Sequence, residues 1–147
     1  MTDLAGVDAD STVLEIGCGS GYQAAVLAEL VRQVYSIEYV EELAAEASQR
    51  LHNLGYRNVQ VRPGDGYYGW PEHAPYDAIL ITAAIPEPPP PLLEQLKPGG
   101  RMVVPLGSPY AGQELTVITR QSDGSFVSRM VLPVSFVPFL HRDESGD

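Results

Sequence analysis

A chain of 147 residues with 44% hydrophobic content has the size and composition of one domain able to bury a core. Its 9 basic residues stand against 19 acidic ones, and the net charge of -10 disfavours a nonspecific hold on nucleic acid or an anionic membrane. Cys18 is the only cysteine, which excludes an internal disulfide and a thiolate metal cluster and fits a reducing, cytoplasmic setting. No basic stretch followed by an apolar one opens the chain, and no apolar run reaches bilayer length, so a soluble, non-secreted protein is expected.

In chain order, Thr12 to Ile16 is a short apolar run that ends in glycines and reads as a buried strand. Tyr22 to Val31 follows as a helix, with Tyr22, Val26 and Leu30 at helical spacing. A second strand is expected over Gln33 to Glu38. A second helix then runs from Glu41 to Leu54, with Leu43, Ala47, Leu51 and Leu54 on one face and Gly55 as its stop. Val59 to Val61, Asp77 to Thr82 and Arg101 to Pro105 read as further strands, the last after the turn Lys97-Pro98-Gly99-Gly100. The proline-rich stretch Ile85 to Pro91 reads as a rigid loop leading into a short helix over Leu92 to Leu96. Strands alternating with helices imply a parallel sheet. The C-terminal third differs: Glu114 to Arg120 alternates polar and apolar residues, Ser122-Asp123-Gly124 is a turn, and Phe126 to Phe139 is an extended run broken by Pro133 and Pro138. An antiparallel hairpin at the sheet edge accounts for it. The expected domain covers residues 1–140, with a disordered tail from His141 to Asp147.

Glu15-Ile16-Gly17-Cys18-Gly19-Ser20-Gly21 lies where the first strand hands over to the first helix, the end at which open α/β sheets bind ligands. A dinucleotide site would space its glycines G-x-G-x-x-G so that a diphosphate lies on the helix N-terminus. Here the third glycine comes one residue early, at Gly21, and Glu15 stands two positions before Gly17. Both features suit S-adenosylmethionine, which lacks a diphosphate but carries an ammonium that an acidic loop complements. Glu38, seventeen residues beyond Gly21 at the end of the second strand, can accept hydrogen bonds from two ribose hydroxyls. Asp65, followed by Gly66 after the third strand, can accept from an adenine amino group. The plainer alternatives are an exposed strand-end Glu38 and a turn aspartate stabilising its own loop. Cys18 reads as a tolerated small residue rather than a nucleophile, and His52, His73 and His141 are too scattered to suggest a metal site. Trp70 and Tyr67 fit either the pocket wall or aromatic packing over the sheet edge.

The stretch VLEIGCGSGYQAAVLAELV, the segment Gly64-Asp65-Gly66 through Gly69-Trp70-Pro71-Glu72 and the run LKPGGRMVVPLG together resemble the protein-L-isoaspartate (D-aspartate) O-methyltransferase family. The glycine loop marks only the wider methyltransferase superfamily; Gly-Tyr-Gln-Ala-Ala and Asp-Gly-x-x-Gly-Trp-Pro are more specific. The resemblance implies a Rossmann-like S-adenosylmethionine-dependent methyltransferase fold, mostly parallel with an antiparallel C-terminal hairpin. It implies methyl transfer to the free carboxyl of L-isoaspartyl and D-aspartyl residues in damaged proteins. Cofactor contacts are expected from Glu15, Gly17, Cys18, Gly19, Ser20, Gly21, Glu38, Asp65, Gly66 and Thr82, with Thr82, Ala83 and Ala84 near the transferred methyl. By the same resemblance Pro105 to Gly107 and Gln113 lie around the acceptor peptide, and no side chain is assigned a catalytic role. The family carries an N-terminal segment with a Thr-Ile-Ser motif before its glycine loop, and nothing like it stands before Glu15. The chain is therefore expected to be truncated and to methylate weakly or not at all by itself. A monomer acting on isoaspartyl proteins, with no nucleic-acid or membrane partner, is expected. A related methyltransferase with another acceptor and a noncatalytic cofactor-binding module stand as alternatives.

Overall fold

The computed structural model describes residues 2–108 and 111–142. Seven strands form one sheet: β1 (Thr12–Ile16), β2 (Gln33–Glu38), β3 (Val59–Pro63), β4 (Tyr76–Ile81), β5 (Leu96–Ser108), β6 (Gly112–Arg120) and β7 (Phe126–Val134). Their order is β3-β2-β1-β4-β5-β6-β7, parallel from β3 to β5 and antiparallel from β5 to β7. The mixed sheet with an antiparallel C-terminal hairpin matches the expectation from sequence. Chain order reverses direction across the sheet between β1 and β4, and the carboxyl ends of these two strands form the crevice where such sheets take ligands.

Period-2 alternation divides the core between the two faces of the sheet. Val13, Val34, Ala78, Leu80 and Val103 face α1 (Tyr22–Ala28) and α2 (Glu41–Asn53). Leu14, Ile16, Ile37, Ile79, Ile81 and Met102 face the other way, toward α3 (Pro90–Glu94) and Trp70. Strands β1 and β4 are covered on both faces and so read as nearly continuous apolar runs.

The helices pack on other stripes than expected. In α1 the buried residues are Ala24 and Leu27, while Tyr22 is 76% exposed and Leu30, beyond the helix, is also exposed. Small Ala24 lets the helix lie close to the sheet, and Leu27 fills the space beside it. In α2 the seam is Ala44, Ala47 and Leu51, and Leu43 and Leu54 turn out to solvent. Helix α3 starts earlier than expected, at Pro90, because prolines with preset φ fit a first helical turn. Strand β5 begins at Leu96 rather than Arg101: Tyr76 pairs with Leu96 and Ala78 with Arg101, so the Lys97–Gly100 turn is carried as a bulge. Strand β7 ends at Val134, and the residues beyond it leave the sheet.

Candidate functional site

The loop after β1 is held open by hydrogen bonds at its base. Gly17 N–H donates to Ile37 O at 2.8 Å, and Thr82 N–H donates to Ile16 O at 3.1 Å, locking the ends of β1, β2 and β4 together. The Thr82 hydroxyl lies 3.0 Å from Ile16 O and 2.8 Å from Gly17 O, so its proton serves the same junction. Gly17, Gly19 and Gly21 all take left-handed φ. At Gly17 a Cβ would also sit 2.6 Å from Thr82 Oγ1, whereas a Cβ at Gly19 would meet nothing within 4 Å. The loop's base is therefore packed and its tip borders open space.

That space is a cavity of about 320 Å³ at the carboxyl ends of β1, β2 and β4. Of the ten expected cofactor residues, Gly17, Gly19, Glu38, Gly66 and Thr82 line it. Gly66 approaches closely for a packing reason: a Cβ there would overlap Ile16 Cγ2. Glu15, Cys18, Ser20, Gly21 and Asp65 stand behind or beside the lining. Gly21 packs toward Ala47 and Leu51 of α2, and Ser20 is exposed with its carbonyl accepting from Arg50.

Three acidic or thiol groups cluster under the loop. Glu38 is buried; its Oε1 accepts from Gly19 N–H at 3.1 Å and its Oε2 from Val40 N–H at 3.0 Å. Each oxygen keeps a lone pair for a further donor, so Glu38 is more than an exposed strand-end residue. Glu15 is fully buried, with Oε1 accepting from the Ser36 hydroxyl at 2.7 Å and Oε2 without a hydrogen-bond partner among the described residues. Burial pushes its carboxyl up to about 7, the Ser36 hydrogen bond pulls the other way, and the nearby Glu38 charge adds to the rise. Burial also pushes the Cys18 thiol up to about 12, with Glu15 and Glu38 adding to it, so Cys18 is no thiolate nucleophile at neutral pH.

Asp65 is already engaged. Its Oδ1 accepts from Tyr67 N–H at 3.0 Å, the turn role weighed as its plainer alternative. Its Oδ2 meets His141 Nδ1 at 2.7 Å and accepts from Arg142 N–H at 3.1 Å. The His141 ring stacks on Tyr67 with centroids 4.0 Å apart. This corrects two expectations: His141 is not a bystander surface histidine, and the stretch expected to be disordered begins with two residues fastened to the site. Residues 143–147 of that stretch lie outside the described residues. Trp70 lies away from the cavity, packed edge-on against Tyr35 at 5.3 Å with the Arg62 guanidinium over its ring.

Gln113, expected around the acceptor peptide, has main-chain partners of its own. Its side chain is buried, its Nε2 donates to Ser108 O at 2.8 Å and its Oε1 accepts from Phe136 N–H at 2.7 Å. Both ends of the amide hold the protein's own main chain. The bond to Phe136 starts a strap that crosses the strand ends: Ala84 N–H donates to Val137 O at 2.7 Å, and Phe139 N–H donates to Ala84 O at 2.8 Å. Val137, Pro138, Phe139 and Leu140 form one wall of the cavity, and Tyr39 and Val40 line it from the turn between β2 and α2, with Leu43 from α2. Sequence reasoning missed both groups. Tyr39 and Val40 carried a signal, two large apolar residues in a turn directly after Glu38; the strap carried none, because its contacts are long-range.

The model of the protein-L-isoaspartate(D-aspartate) O-methyltransferase family matches residues 1–144. Among curated relatives, protein-L-isoaspartate O-methyltransferase 1 of Nitrosospira multiformis is 61% identical over 138 residues, 94% of this chain and 58% of the relative. Protein-L-isoaspartate O-methyltransferase 2 of Syntrophobacter fumaroxidans is 59% identical over 94% of this chain and 56% of the relative. The chain thus spans a little over half the length of these relatives. A solved protein-L-isoaspartate O-methyltransferase superposes with a TM-score of 0.83 at 34% identity, over 93% of this chain and 44% of that one. A Plasmodium falciparum structure described as a complex with S-adenosyl-L-homocysteine shares the fold, with a TM-score of 0.74 at 21% identity over 92% of this chain and 68% of that one. With its glycine loop, strand-end carboxylate and sheet order as described, the chain belongs to the protein-L-isoaspartate(D-aspartate) O-methyltransferase family.

Proposed function

We propose that this chain binds S-adenosylmethionine in the cavity between Gly17, Glu38 and the 137–140 strap and directs methyl transfer to the free carboxyl of isoaspartyl residues in proteins. The observation that carries the reading is the Glu38 carboxylate, buried at the end of β2, hydrogen-bonded to Gly19 N–H and facing the cavity with lone pairs to spare. A buried acceptor pair beside an open glycine tip fits a ribose diol. The unpartnered Oε2 of Glu15 beneath the same loop fits a cationic ligand above it. When bound, the cofactor supplies a methyl group on a sulfonium.

The chain's own residues orient, enclose and exclude water. Gly17 and Gly19 let the main chain approach closely, Gly66 and Ile37 form apolar contact surface, and Thr82 and Ala83 leave room at the end of β4. A carboxylate acceptor, with a reference pKa near 4, is ionised at neutral pH and needs no general base. Rate then comes from alignment and from a dry, apolar wall, which the strap contributes. The net charge of -10 fits a protein without a nucleic-acid partner, and the buried free thiol of Cys18 fits a reducing, cytoplasmic setting.

Calorimetry with S-adenosylhomocysteine and, separately, NAD tests the cofactor. Tighter binding of NAD would overturn it. Incorporation of labelled methyl from S-adenosylmethionine into an isoaspartyl peptide, against the same peptide with a normal aspartyl linkage, tests the reaction. The expected result is detectable incorporation that requires the isoaspartyl linkage, and binding without any transfer would sink the enzymatic part.

A further inference from the structure

Gln95 sits at the C-terminus of α3, on the sheet face opposite α1 and α2, and does not line the cavity. It is nonetheless buried, and both ends of its amide are committed to one short turn. Its Nε2 donates to Tyr68 O at 2.9 Å, and its Oε1 accepts from Trp70 N–H at 3.0 Å. Between those two residues lies Gly69, at φ 68, where any Cβ would collide with the Gln95 amide. The Gln95 main chain is fixed as well, its N–H on Leu92 O at 3.1 Å and its carbonyl accepting from Tyr76 N–H at 2.8 Å. A buried amide with every strong bond directed at one loop is a rigid clamp, because leaving either partner unpaired carries a full desolvation cost.

The clamped turn is the one that begins with Asp65 and Gly66. Gly69 N–H donates to Gly66 O at 3.0 Å, and Tyr67 N–H closes back on Asp65 Oδ1, so the turn moves as one piece. Gly66 lines the cavity against Ile16, and Asp65 precedes it in the chain, its carboxylate held by Tyr67 N–H, His141 Nδ1 and Arg142 N–H. We infer that Gln95 is a positioning residue for the cofactor's adenine end, acting through Asp65 at the other end of the turn. This rests on the cofactor reading proposed above.

S-adenosylhomocysteine titrated by calorimetry into four proteins, the wild type, Gln95→Met, Asp65→Ala and the double variant, tests it. Methionine keeps the length and apolar volume of glutamine and removes both hydrogen bonds. Gln95→Met is expected to weaken binding about five- to tenfold, the equivalent of losing one well-placed hydrogen bond to a ligand. In the Asp65→Ala background the same change is expected to cost less than about twofold, since coupled residues are not additive. A purely structural role would instead give equal factors in both backgrounds, and that result, or unchanged binding in Gln95→Met, overturns the inference. Should Gln95→Met fail to melt cooperatively, Gln95→Glu replaces it. That variant keeps an acceptor for Trp70 N–H, and its affinity relative to wild type at the same pH is expected to recover as acidification restores a donor for Tyr68 O. No recovery overturns the inference. A wild type that fails to bind S-adenosylhomocysteine overturns the cofactor reading itself, a different outcome from either.

Discussion

The cavity has two walls built in different ways. One is the glycine loop with the ends of β1, β2 and β4, where neighbouring strands supply the hydrogen bonds and Glu15, Ser36 and Cys18 pack solidly underneath. The other is the strap over residues 136–142, which crosses the same strand ends on five hydrogen bonds, one at Gln113, two at Ala84 and two at Asp65. Val137 is 70% exposed and Leu140 51%, so the strap covers the cavity while its outer side is wet. The first wall is part of the sheet; the second is hung on it. Segments with few buried contacts open at lower free energy than core strands do. Perturbing the loop is therefore expected to change stability and binding together, and perturbing the strap to change binding with little effect on the fold.

The largest expected effect concerns Glu15. A carboxyl raised on folding from its ordinary 4.5 to about 7 holds its proton more tightly folded than unfolded. Its contribution is therefore full below about pH 4.5 and declines as pH rises to about 7, beyond which it is flat. The span corresponds to on the order of 3 kcal/mol. Denaturant unfolding at pH 5, 6, 7 and 8 is expected to show Glu15→Gln gaining on the wild type across that window. Parallel curves would mean that the loop wall is wetter than its packing shows.

Next in size is Gly17→Ala. A left-handed φ costs a residue with Cβ about 1–2 kcal/mol, and the new methyl would also displace the Thr82 hydroxyl from its bond. Together these are expected to lower the melting temperature and to weaken S-adenosylhomocysteine binding by roughly thirtyfold, or about 2 kcal/mol. Normal binding by this variant would erase the contrast between the walls. Gln113→Leu, at the foot of the strap, is expected to cost about 1 kcal/mol, chiefly through the unpaired Phe136 N–H. Amide exchange separates the two walls here: Phe136 and Phe139 are expected to exchange faster, and Gly17 and Thr82 unchanged.

The same contrast explains what the sequence could show. The loop wall is encoded by residues close in the chain, and glycine spacing, a strand-end carboxylate and alternating apolar runs each have a local physical cause. Glu15, Glu38 and the sheet's mixed character were legible for that reason. Helix faces were less so, because YQAAVLAELV offers two stripes, and only contact with the sheet selects Ala24 and Leu27 over Tyr22 and Val26. The strap was illegible. Gln113 meets Phe136 across 23 residues and Asp65 meets His141 across 76, and no periodicity in Phe126 to Phe139 marks where the chain leaves the sheet. Asp65 itself was singled out, but not that His141 and Arg142 would be resting on it.

That last contact gives the smallest and most discriminating effect. If the adenine end of the cofactor uses Asp65, it must share the carboxylate with His141 and the Arg142 N–H, both on Oδ2. The His141–Asp65 contact lies near the surface, with side chains 24% and 18% accessible, where a polar pair contributes modestly, about 0–1 kcal/mol. His141→Ala removes the ring from Tyr67 and Asp65 and leaves the remaining strap bonds in place. S-adenosylhomocysteine is then expected to bind about two- to threefold more tightly, an effect of about half a kcal/mol, with the melting temperature almost unchanged. Weaker binding would mean that His141 belongs to the binding wall and its ring shelters the ligand. Equal binding would place the ligand clear of Asp65 and reduce the strap to a cover for Val137 to Leu140.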